Sequence, residues 1–196
     1  MRYFVTGASG WIGSAVVAEL IEAGHEVVGL ARSDASAERV RALGAGVHRG
    51  ALDDLDRLVA GAAASDGVVH LGYNHDFSRM GEAAQTDLAA ITAIGGALEG
   101  TDRPLLIASG TLGLATGRVA TEEDDADPGS HPRIAGAQAA LDFAQRGVRS
   151  GRRSASRPRP SRQSTSTGSG RSSPRTSRLP ARGRGSCSVG SRRSPD

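Results

Sequence analysis

Thr6-Gly7-Ala8-Ser9-Gly10-Trp11-Ile12-Gly13 is the stretch that decides how this chain folds. It follows a short apolar run, Tyr3–Thr6. It opens a segment, Ile12–Ala23, in which Ile12, Val16, Leu20 and Ile21 recur at helical spacing. A second apolar run, Glu26–Ala31, comes next. A glycine-rich turn between a strand and a helix is the context in which backbone amides bind phosphate. Gly7 permits the tight turn, Gly10 leaves room for a diphosphate, and Gly13 lets the helix close on the sheet. The N–H groups of the first helical turn, with the helix dipole behind them, then face the anion. Ser9 adds a hydroxyl donor. A bare glycine turn without a ligand is the competing reading, and the strand, helix and second strand in register disfavour it.

Outward from this turn, apolar runs alternate with amphipathic ones. Ala35–Leu43 predicts a helix closed by Gly44, Gly46–Arg49 a strand, Asp54–Ala62 a helix and Gly67–Leu71 an apolar strand. A long helix lies within Ser78–Leu98, Pro104–Ser109 is a fifth strand, and Pro132–Arg146 is a helix with Ile134, Leu141 and Phe143 available for burial. Val148 is due to open a sixth strand, and there the pattern stops. The expected fold is α/β: a doubly wound, Rossmann-like parallel sheet over residues 1–148, truncated. Without a sixth strand the fifth becomes an exposed edge, so the fold is expected to be marginally stable.

Residues 149–196 are different material. They hold 14 Ser, 13 Arg and a single Asp, with Leu179 and Val189 as the only large aliphatic residues. Such a segment buries too little apolar surface to offset the entropy of ordering it, and disorder is expected. It carries a net charge of +12, whereas residues 1–148, with 11 Arg against 20 Asp and Glu, carry −9. The overall +3 hides this division. Three readings of the tail stand: a basic arm for nucleic acid or anionic surfaces, an inert linker, or GC-rich DNA read in a shifted frame. The abrupt onset where a strand is due favours the third and makes a nucleic-acid partner the weaker expectation.

Cys187 is the only cysteine, so no intramolecular disulfide forms and a reducing compartment is the default. The start lacks the pattern of a secretory signal, and no apolar stretch is long enough to span a bilayer. A cytoplasmic protein without a membrane partner is expected. Oligomeric state is not specified. His25, His48 and His131 have no neighbours that suggest a metal, and His70, inside an apolar strand, reads as a satisfied core residue. The acidic run Glu122–Asp125 lacks an ordered ligand pattern and reads as a solvated loop.

The motif Thr6-Gly7-x-x-Gly10-x-x-Gly13 resembles the first βα turn of the short-chain dehydrogenase/reductase superfamily, and in particular its extended branch, the NAD-dependent epimerase/dehydratase family. His48–Asp54 resembles the turn after that family's third strand, Val68–Gly72 its fourth strand, and Leu106–Thr111 its fifth. The resemblance implies an NAD(P)-dependent oxidoreductase or epimerase/dehydratase that acts by hydride transfer on a small hydroxyl or carbonyl substrate. It implies dinucleotide contacts from Gly7, Ser9, Gly10, Trp11, Ile12, Gly13, Leu52, Leu71 and Gly72. A carboxylate at the end of the second strand favours NAD, and an arginine there favours NADP. Here Ala31 is followed by Arg32 and Ser33, and Arg grips phosphate with a planar fork. NADP is therefore expected, with NAD as the alternative.

The chain departs from the family where chemistry is done. The family's acid/base Tyr and the Lys four residues later stand on the helix after the fifth strand. This chain contains no Lys, its tyrosines are Tyr3 and Tyr73, and the matching region reads Pro-Arg-Ile-Ala-Gly-Ala-Gln-Ala-Ala over 132–140. Ala51 stands where the family often has Asp beside the adenine, which predicts weaker binding. Ser109 and Thr111 remain candidates for polarising a substrate oxygen. Tyr73 and His75, in the segment after the fourth strand, are candidates for acid/base work, against the plainer reading that Tyr73–Asp76 only caps a loop. The alternatives to an enzyme are a non-catalytic NADP-binding regulatory protein and a nucleic-acid binder acting through the tail.

Overall fold

The computed structural model describes residues 1–110, 115, 117–121, 124 and 133–150. The candidate Thr111 and the expected tail from residue 151 onward lie outside them. Five strands, β1 (Arg2–Thr6), β2 (Glu26–Ala31), β3 (Gly46–Arg49), β4 (Gly67–His70) and β5 (Leu105–Ile107), form one parallel sheet in the order β3-β2-β1-β4-β5. Five helices connect or follow them: α1 (Trp11–Glu22), α2 (Asp34–Ala42), α3 (Leu55–Ala63), α4 (Met80–Leu98) and α5 (Ile134–Asp142). This is the expected Rossmann-like architecture.

Burial on both faces explains why the central strands read as unbroken apolar runs. Along β1, Phe4 and Val5 point to opposite faces. Phe4 joins Leu58, Val68, Ile94 and Leu98 in a core beneath α3 and α4, with Phe143 from just past α5. Val5 joins Val17, Val27, Val40 and Val69 beneath α1 and α2. The register is fixed by Phe4 opposite Val28 on one side and Val68 on the other.

The element boundaries differ from expectation at several points; for one, the helix expected over 132–146 is α5 followed by a 3-10 turn, Phe143–Arg146. The long helix is preceded by a 3-10 turn, Phe77–Arg79, because the Asp76 carboxylate accepts from the Ser78 amide and hydroxyl and caps a tighter turn first. The Ser78 hydroxyl, and then its amide, hold the exposed Asp76 carboxyl below its ordinary range. β5 spans only Leu105–Ile107, shorter than the expected 104–109. The chain also returns to β5 on its outer side. Arg149 donates its N–H to the Arg103 carbonyl at 3.0 Å and accepts from the Leu105 amide at 3.3 Å, a single parallel bridge. The fifth strand is thus partly covered at its start, and the ordered fold runs past residue 148 by at least these contacts.

Candidate dinucleotide site

The turn from β1 into α1 is built as its glycines require. Gly7 takes φ +68°, and a Cβ there would lie 2.8 Å from the Gly72 amide nitrogen. Gly13 differs in detail from its expected role. Its missing side chain admits the Gly7 carbonyl of the turn, whose oxygen would sit 2.0 Å from an added Cβ. The Gly10 amide donates to the same carbonyl at 2.9 Å and closes the turn. Gly10 is the N-cap of α1, no side chain caps this end, and the first turn carries no acid. The helix terminus therefore offers amides and a positive dipole end with no carboxylate to compete.

These amides open on a cleft of about 840 Å³, within the size range of small-ligand sites. Gly7, Ser9, Gly10, Trp11, Ile12 and Gly13 line it. Leu71 and Gly72 at the end of β4, against the Gly7 turn, and Leu52 after β3 line it as well. Trp11 is 93% exposed. Toward the end of β2, Arg32 and Ser36 line the cleft. Ser33 does not. Its hydroxyl accepts the Ser36 amide at 3.2 Å in a capping box that starts α2. Asp34, next along, pairs with Arg49 at 3.0 Å.

Beneath the cleft lies a buried polar chain. The Thr6 hydroxyl lies 2.9 Å from His70 Nδ1 and accepts from the Gly72 amide at 3.0 Å. His70 Nε2 lies 3.1 Å from the Asp87 carboxylate on α4. His70 is thus the satisfied core residue that its apolar strand suggested.

Tyr73, Asn74 and His75 also contribute to the wall. Asn74 accepts from the Asp76 amide, and Asp76 is committed to Ser78, so part of this segment does cap a loop. Tyr73 is instead covered by the Arg133 guanidinium, 4.1 Å from its ring centroid. Arg133, the N-cap residue of α5, also donates to the Ala108 carbonyl at 3.0 Å. It therefore ties the segment after β4 to the end of β5. Ser109 follows directly, exposed and outside the cleft lining. Sequence reasoning missed Arg133. Its only signal was a cation on the helix where the family places its dyad.

Among the described residues no group of three or more His, Cys, Asp or Glu side chains could hold a metal ion, and no helix is long and apolar enough to cross a membrane.

Comparison with known proteins adds independent findings. The family model of the NAD dependent epimerase/dehydratase family matches residues 3–133. An uncharacterized protein of Schizosaccharomyces pombe is 48% identical over 150 residues, which is 76% of this chain and 51% of that protein. One of Saccharomyces cerevisiae is 46% identical over 151 residues, again 76% and 51%. The chain spans about half the length of these curated relatives. Among solved structures, a short-chain dehydrogenase/reductase superfamily protein from Agrobacterium tumefaciens with bound NAD superposes with a TM-score of 0.61 at 22% identity, covering 76% of this chain and 47% of that one. The UDP-glucose 4-epimerase of Thermotoga maritima, with UDP-glucose, gives 0.59 at 20% identity, covering 76% and 53%. At these identities the superpositions carry the fold alone.

Proposed function

The chain belongs to the NAD-dependent epimerase/dehydratase family, whose members depend on a nicotinamide dinucleotide, and we propose that it binds NADP in preference to NAD and serves hydride transfer on a small hydroxyl or carbonyl substrate. The observation that carries this reading is the uncapped N-terminus of α1, held by Gly7 and Gly13, opening on the cleft. A Cβ at Gly7 or Gly13 would fill the space that this cradle needs. Gly7, Ser9, Gly10, Trp11, Ile12 and Gly13 are proposed to hold the diphosphate, and Leu52, Leu71 and Gly72 the flanking ribose and base faces. Arg32, in the cleft lining at the end of β2, is the cation for a 2′-phosphate; Ser33, spent in its capping box, backs α2 rather than the ligand.

The bound dinucleotide supplies or accepts the hydride. Tyr73, Ser109 and Thr111 are the proposed groups on the substrate side. Tyr73 is favoured because it lines the cleft and is held there by Arg133. A non-catalytic dinucleotide binder is the second reading, and the observation behind it is that the chain contains no Lys to complete the usual dyad.

Titration of the full chain with NADPH and NADH, followed through the single tryptophan, Trp11, tests the proposal. NADPH is expected to bind more tightly. Arg32→Ala should weaken NADPH by about tenfold or more, the worth of a charge-assisted hydrogen bond, and leave NADH unchanged. If neither dinucleotide binds at millimolar concentration, the proposal falls. Turnover that survives Tyr73→Phe removes Tyr73 from the chemistry.

A further inference from the structure

Thr6, His70 and Asp87 are, respectively, 0%, 2% and 5% exposed, yet all three are polar. The geometry of their hydrogen bonds points to one arrangement of protons. A hydroxyl has one proton and two lone pairs. The Thr6 oxygen receives the Gly72 amide at 3.0 Å and shares the Leu71 amide, at 3.2 Å, with the Thr6 carbonyl. Its lone pairs are used, so its proton goes to His70 Nδ1, 2.9 Å away. The Asp87 carboxylate accepts only, so His70 Nε2 carries the ring proton and donates it over 3.1 Å. The ring is therefore neutral, protonated at Nε2, with Nδ1 as an acceptor.

We propose that His70 is a positioning residue of the dinucleotide site. By taking the Thr6 proton it turns both lone pairs of the hydroxyl toward Leu71 and Gly72. Those two residues line the cleft, and the Gly72 peptide packs against the Gly7 turn. Without the acceptor, the hydroxyl must rotate to find another partner for its proton, and an amide of the cleft wall loses its bond. Asp87 fixes the ring that does this. It also faces α5, since a Cβ on Gly136 would stand 3.2 Å from its second oxygen. The wall of the dinucleotide cleft is thereby fastened through four groups to α4, beside α5. The proposal rests on the reading of this cleft as a dinucleotide site.

Two conservative variants of the full chain separate the halves of the chain of bonds. In His70→Asn the side-chain carbonyl takes the place of Nδ1, so Thr6 keeps its acceptor and Asp87 loses its donor. In His70→Gln the amide nitrogen takes the place of Nε2, so Asp87 keeps its donor and Thr6 loses its acceptor. NADPH affinity, read through Trp11, is expected to fall about tenfold in His70→Gln, the worth of one buried hydrogen bond, and to stay within about twofold of wild type in His70→Asn. Melting temperature should follow the opposite order, because His70→Asn strands a buried carboxylate. A purely structural role gives affinity losses that track stability losses in both variants, and that result overturns the proposal, as does wild-type affinity in His70→Gln. Nitrogen-15 NMR of the wild-type imidazole needs no variant: a protonated Nε2 and bare Nδ1 are expected, and the opposite tautomer overturns the assignment. Wild-type protein that takes up no dinucleotide sinks the proposed function itself, whereas dinucleotide binding with the wrong tautomer sinks only this inference.

Discussion

Gly13→Ala adds one methyl group, and the structure says where it goes. The new Cβ would lie 2.0 Å from the Gly7 carbonyl oxygen, 2.7 Å from the Gly7 carbonyl carbon and 3.0 Å from Ala8 Cα. A carbon and a carbonyl oxygen ordinarily come no closer than about 3.3 Å, so α1 must move off the turn by more than 1 Å. All three obstacles are backbone and cannot swing aside, which puts the cost at the upper end of the overpacking range, about 3 kcal/mol. Alanine is better than glycine in a helix interior by about 1 kcal/mol. The steric term wins, with a net loss of about 2 kcal/mol, or roughly 4–8 °C in Tm for a fold of this size. Affinity should suffer as well. A shift of 1 Å takes a first-turn amide out of hydrogen-bonding range of a phosphate, and one such charge-assisted bond is worth about tenfold or more in Kd. Gly96→Ala on α4 is the control. Nothing lies within 4 Å of its added Cβ, so the same substitution should stabilise by about 0.5–1 kcal/mol and leave binding alone. Thermal melts and NADPH titrations of both variants decide the matter. If Gly13→Ala melts no lower than wild type and binds as tightly, the close-approach argument is wrong.

Gly95→Ala, one residue before that control, should lower Tm by several degrees while sparing NADPH affinity, because its Cβ would meet the buried Phe143 ring at 2.3 Å. Comparing its melt with that of Gly96→Ala removes helix propensity from the result. Arg133→Met removes the charge over Tyr73 and the bond to Ala108 while retaining length. Where turnover can be measured, it should lower kcat and leave the NADPH Kd unchanged, so a fall in affinity alone would place Arg133 on the cofactor side. A chain ending at Ser150 should bind NADPH as the full chain does, if the division into a dinucleotide domain and a basic appendage is right, and isothermal titration of both forms checks it.

Most of the fold was legible because its signals are local. Apolar runs between glycines marked β1, β2, β3 and β4, and helical spacing marked α1. The glycine motif could be read for the same reason: strand, turn and helix are contiguous. The features that could not be read are those in which distant residues decide a local outcome. Gly29 lies mid-strand in β2 with no sequence signal, yet a Cβ there would strike Ala8 at 2.7 Å and Val40 at 2.8 Å. It is required for the packing of the turn and α2 onto the sheet. Asp87 sits 17 residues from His70 and looks like any polar helix residue until α4 is laid on the sheet. Arg133 and Tyr73 are 60 positions apart and meet only because α5 begins beside the end of β5. At Ser33 the hydroxyl caps α2.

The strand order places the cleft at one point of the sheet. In a β3-β2-β1-β4-β5 sheet the connections leave β1 toward β2 on one side and reach β4 on the other, so a crevice opens at the carboxyl ends between β1 and β4. Every described residue lining the cleft comes from the stretch between Gly7 and Thr86, within the first half of the chain. The polar chain that braces the cleft from below closes at Asp87, one residue further on. Arg133, at the start of α5, adds a cation over Tyr73 of the cleft wall. The residues proposed to grip the dinucleotide all precede Asp87, so a change confined to residues beyond it should leave dinucleotide affinity largely intact.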